Sequence, residues 1–89
     1  MMNTKYIVIR TEAGVELLFT FPNEVAHVWF FQAVQTTKQG VPHNWLRPYS
    51  NAECVGAGFL MDGKCFGKSE SLNVASRPGF DTALLERAA

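Results

Sequence analysis

The apolar positions near the start of the chain fall into two short runs on either side of a glycine. Residues 5–11 read Lys-Tyr-Ile-Val-Ile-Arg-Thr, dominated by β-branched and aromatic side chains, and predict a strand. Glu12-Ala13-Gly14 follows as a tight turn. Val15, Leu17, Phe19 and Phe21 then alternate with Glu16, Leu18 and Thr20, the period-two pattern of a second strand over 15–21. Together they predict a hairpin. Pro22 closes it, Asn23 offers an N-cap, and Glu24 adds negative charge to the first turn of a helix over 24–36. This helix is apolar around more than half its circumference. One sheet face cannot cover that much, so the loop after it or a second chain is expected to pack on it.

Residues 37–53 are irregular, with Gly40, Pro42, Asn44, Pro48 and Asn51 all disfavouring regular structure. Trp45, Leu46 and Tyr49 are nevertheless too apolar for a free linker, which predicts a loop folded against the body. In the strand over 54–61, Val55, Ala57, Phe59 and Met61 share one face and Gly56, Gly58 and Leu60 the other. Small residues at 56 and 58 let something approach the sheet closely. Asp62-Gly63 is a hairpin turn leading into a strand over 64–72, whose Cys65, Gly67, Ser69 and Ser71 face is small and polar and expected to be wet. Ser76 can cap a final helix over 78–87, with Pro78 in its first turn, Asp81 and Arg87 matching its dipole, and Leu84 and Leu85 as core contacts. The expectation is one α+β domain over 1–89, ordered β-β-α-β-β-α. Two hairpins form a four-stranded antiparallel sheet, and both helices lie on one face, over Leu17, Phe19, Phe21, Val55, Ala57 and Phe59. The strand order stays open.

Composition narrows the function classes. At 47% hydrophobic and 18% charged, the chain has the makings of a packed core and not of a disordered tail. Its 89 residues suffice for one core, which excludes most large enzyme folds. Lys plus Arg is 8 and Asp plus Glu is 8, leaving no basic excess for the many phosphate contacts of non-specific nucleic-acid binding. A pI near 6.7 removes one barrier to self-association. Two cysteines, Cys54 and Cys65, are too few for a secreted disulfide scaffold and fit no CxxC spacing. Cys65 is expected opposite Leu60 or Met61, with Cys54 at the far end of its strand, so both should be reduced thiols. Arg10 and Glu12 interrupt the first apolar run too early for a signal peptide, and the stretch 25–34 is too short to span a bilayer. The compartment expected is the cytoplasm, with no membrane partner.

Candidate chemistry is sparse. The histidines, His27 in the helix and His43 in the loop, have no neighbouring ligand to nucleate a metal site. Ser69, Ser71 and Cys65 are potential nucleophiles without a recognisable elbow, and Gly67-Lys68-Ser69 lacks the upstream glycine run of a phosphate loop. Pairing Glu53 with Glu70 or Asp62 as acid and base has no spacing to support it. The sequence therefore nominates no catalytic, cofactor or metal residue, and an enzyme is the weakest reading. A nucleic-acid binder would stack bases on the sheet, with Phe66, Lys68 and Arg10 as the nearest candidates. The stronger candidates are aromatic. Trp29, Phe30 and Phe31 are consecutive on the helix and span about 200° of its circumference, so they cannot all face one sheet. Trp45, Arg47 and Tyr49 alternate in the loop, and all three residue types are common interface anchors. Either the loop packs over the helix, or these six residues form a protein-binding surface for a second copy or for another protein. The two are compatible.

Gly56-Ala57-Gly58-Phe59, Cys65 through Leu72, Ser76-Arg77-Pro78 and Asp81 resemble small uncharacterised proteins of tailed phages and prophages. The resemblance implies an intracellular, phage-associated context and no catalytic or binding residue. In such a context a small stable protein commonly binds and modulates a host factor, inhibition of a host defence complex being one version.

Overall fold

Both predicted turns close hairpins. Asp62 and Gly63 take φ of 52° and 75°, the paired positive values that a two-residue primed turn demands. The computed structural model describes residues 4–36 and 51–88. In chain order the elements are β1 (Thr4–Arg10), β2 (Glu16–Pro22), α1 (His27–Thr36), β3 (Glu53–Met61), β4 (Lys64–Phe66), β5 (Lys68–Ser69), β6 (Val74–Ala75) and α2 (Pro78–Ala88). β1 to β4 form an antiparallel sheet in the order β2-β1-β3-β4, which settles the placement of the hairpins: β1 pairs with both β2 and β3.

The register sorts side chains between two faces. Ile7 pairs with Phe19 and Ala57, and Ile9 with Leu17 and Cys54. These residues join Phe21, Phe30 and Val34 in the core beneath α1. Tyr6 and Val8 point the other way, where Cys65, Leu18, Val55, Leu60 and Leu84 of α2 gather. The fold class is as expected, but the helices, expected on one face, cover opposite faces. The reason lies in β1. Tyr6, Ile7, Val8 and Ile9 are all 0% exposed, and four consecutive buried residues of a central strand project to both sides of the sheet, so both sides must be covered.

Three further expectations change. The register shifts between Val8 and Ile9, so that Gly56 pairs with Val8 and Cys54 with Ile9. This bulge reverses the alternation below Gly56: Cys54 takes the α1 face and Val55 the α2 face. α1 starts at His27 because residues 22–25 close a turn, with the Val25 amide donating to the Pro22 carbonyl at 3.1 Å. Ala26 then accepts the first helical hydrogen bond, from Phe30. The strand expected over 64–72 stops at Phe66, where Gly67 turns with φ 86°. The chain then forms the small β5–β6 hairpin. Ser69, expected wet, is 1% exposed, and its hydroxyl accepts from the Leu72 amide at 3.2 Å. Ser71 accepts from the Val28 amide at 3.2 Å, satisfying an early α1 donor from 43 residues away.

Candidate functional site

α1 carries no charged residue over its ten positions. Its inner side is held by rings. Phe30 stacks on Phe21 with centroids 4.3 Å apart and planes 7° from parallel, and lies 6.3 Å from Phe19. Phe21 meets His27 edge-on at 5.4 Å, and His27 meets Phe59 edge-on at 5.6 Å. The ladder ends at Phe66, 5.9 Å from Phe59 at the open edge of the hairpin. Phe31 is half-buried against the same core. The helical phase leaves Trp29 outside at 69% exposure, with Gln32 and Ala33 exposed one turn on. Of the three aromatics nominated on this helix, two are packing residues and one is surface. Trp45, Arg47 and Tyr49 lie outside the described residues.

His27 is a packed imidazole. Its Nε2–H donates to the Gly58 carbonyl at 2.8 Å, and burial holds its pKa below the ordinary histidine value. Lys5 donates to the Val25 carbonyl at 2.9 Å beside it.

The opposite face carries a polar cluster that sequence reasoning missed. Asp81, on the first turn of α2, is 0% exposed. Its Oδ2 accepts from the Tyr6 hydroxyl at 2.5 Å and from the Arg77 amide at 3.0 Å. Its Oδ1 accepts from Arg77 Nε at 3.0 Å and Nη2 at 2.7 Å. Arg77 continues to Glu16 Oε1 at 3.0 Å, and Arg10 meets Glu16 Oε2 at 2.9 Å. Ser76, expected to cap α2, instead hydrogen-bonds the Tyr6 hydroxyl at 2.6 Å, and Arg77 takes the cap position. Burial, and then the Asp81 carboxylate, push the Tyr6 phenol well above its usual range, so Tyr6 remains a donor. The Arg77 hydrogen bond holds the Glu16 carboxyl below its ordinary value. A trace of this cluster is visible in the sequence. A Cβ on Gly56 would lie 2.5 Å from Asp81 Oδ2, and one on Gly58 would collide with the Phe66 carbonyl. These are the close approaches that the two glycines predict.

The remaining candidates are dispersed. Arg10 is ion-paired to Glu16 on the α2 side, while Phe66 closes the ring ladder on the α1 side and Lys68 begins β5. Cys54 and Cys65 are free and on opposite faces, with Cys65 opposite Leu60. Burial pushes the Cys54 thiol up to about 11 and raises that of Cys65, so neither is an activated nucleophile near neutral pH. Ser69 and Ser71 are engaged as described, and His43 lies outside the described residues. Among the described residues no group of three His, Cys, Asp or Glu side chains is placed to hold a metal ion, and no helix is long and apolar enough to cross a membrane.

No protein family, curated protein or solved structure matches this chain.

Proposed function

We propose that the chain is a small non-enzymatic protein-binding module whose contact surface centres on Trp29. The observation that carries this reading is the 69% exposure of a tryptophan on a helix without charge, whose inner side is packed on aromatic rings. Tryptophan buries a large area at low entropic cost, and uncharged surroundings are cheap to desolvate. The phage-like resemblance makes a host protein, such as part of a defence complex, the preferred partner, and the free thiols suit the reducing cytoplasm. A second copy is the other candidate partner, since a formal net charge of +0 gives two copies no long-range repulsion.

Two measurements test the reading. Light scattering behind size-exclusion chromatography, on the parent chain and Trp29→Ala, reads self-association. Affinity capture from a host lysate, with Phe80→Ala as a control, reads a foreign partner. Phe80 is as exposed as Trp29 but sits on the opposite face. Association abolished by Trp29→Ala and kept by Phe80→Ala supports the proposal. Association unaffected by Trp29→Ala, or none in either experiment, overturns it.

A further inference from the structure

α2 buries little apolar surface. Leu84 packs into the small cluster of Tyr6, Val8 and Cys65, Thr82 and Leu85 are half-buried, and most of the remaining described helix positions are exposed. What fastens the helix is directional and polar. Asp81 receives Tyr6 and Arg77, Arg77 reaches across to Glu16 on β2, and the Thr82 hydroxyl accepts from the Cys65 amide at 3.1 Å. Among the described residues, the larger core around Ile7, Ile9, Phe21, Val34 and Ala57 takes none from α2. Local opening is favoured where few apolar contacts are lost and the freed polar groups can be rehydrated.

We propose that α2 is a detachable strap: it lifts from the sheet as a unit, with the Asp81 clamp as its latch, while α1 and the core beneath it stay folded. Lifting bares Tyr6, Val8 and the Cys65 thiol on the face opposite Trp29. The strap therefore shields a second apolar surface, independent of the one proposed for binding.

Cys65 reports the opening directly, because it is 3% exposed beneath the strap. The experiment follows labelling of Cys65 by a small aromatic disulfide in a Cys54→Ala chain, across urea concentrations below the denaturation transition. A strap predicts labelling with a much weaker urea dependence than global unfolding, since little surface is exposed on opening. Asp81→Asn should accelerate it on the order of tenfold to a hundredfold, the equivalent of a charge-assisted hydrogen bond, with the far-ultraviolet circular dichroism unchanged. Should Asp81→Asn fail to fold, Glu16→Gln removes only the outer carboxylate and is expected to accelerate labelling severalfold. Labelling with the urea dependence of full denaturation overturns the proposal. So does a rate unmoved by whichever of the two substitutions folds.

Discussion

On one face of the sheet α1 is held by rings, from Phe19 through Phe30, Phe21, His27 and Phe59 to Phe66. On the other face α2 is held by one buried carboxylate, with a tyrosine, an arginine and a second carboxylate arranged around it. The apolar burial that the rings provide is non-directional and scales with area, so it tolerates small shifts better than a hydrogen-bonded cluster does. The carboxylate cluster works only at one geometry and needs position 56 empty of a side chain. A single strand, β1, serves both faces by alternating Ile7 and Ile9 with Tyr6 and Val8. A chain this small can therefore leave a tryptophan to solvent on one helix, because the inner side of that helix already supplies the adhesion.

The comparison breaks first at Phe21. Truncation to Ala removes the ring that stacks on Phe30 and abuts His27, and should cost about 3–5 kcal/mol in urea denaturation. A loss under about 1 kcal/mol would mean that the rings do not hold α1. On the other face, Gly56→Ala drives a methyl into the Asp81 carboxylate and should cost about 1–3 kcal/mol. The sharper form is a double-mutant cycle with Asp81→Ala. With the carboxylate gone, the added methyl should cost much less, so the two losses should fail to add. Simple additivity would show that Gly56 answers to some other neighbour.

How far these contacts are legible in the sequence depends on their range. The hairpins are legible because Gly14 and Asp62-Gly63 carry their turn chemistry locally. The double cover is also written there, in the unbroken run Tyr6–Ile9, but the cleaner alternation of β2 draws the reading toward a single apolar face. The bulge at Val55 leaves no mark in Cys-Val-Gly-Ala, because any of these residues can occupy it. Asp81 and Tyr6 are 75 positions apart, so no spacing rule joins them, and only the small residue at 56 hints at the close approach of Asp81. The helical period shows that Trp29, Phe30 and Phe31 cannot all pack, but not which is left out. That is decided by partners remote in sequence, Phe19 and Phe21 of β2, which take Phe30 inward and leave Trp29 outside.

Acid should distinguish the two faces by pH window. His27 has a folded-state pKa depressed by burial below 6.5, so the unfolded chain takes up the proton first as pH falls. Its contribution is complete above about pH 6.5 and is lost as pH drops toward the folded value, with a slope of at most about 1.4 kcal/mol per pH unit. The Glu16 carboxyl, held low by Arg77, belongs to the α2 side, and its contribution persists until pH falls below about 4.5. Urea denaturation between pH 7 and 5 should show the first window in the parent chain. His27→Gln, which retains a donor for the Gly58 carbonyl, should flatten it. An unchanged slope in that variant would assign the acid sensitivity elsewhere.

The smallest expected effect is at Trp29. Most of its side chain is in water, so Trp29→Ala gives up few contacts, and alanine is the better helix former by a few tenths of a kcal/mol. The two terms nearly cancel, and stability should stay within about 0.5 kcal/mol of the parent, leaning toward stabilisation. Phe30→Ala, one position along, removes a stacked ring and should cost several times more. Paired urea titrations of these neighbours test whether one helix divides its aromatics between holding the fold and facing outward. A loss above about 1 kcal/mol for Trp29→Ala would place that ring in the packing as well, and the outward face of α1 would no longer be free to bind.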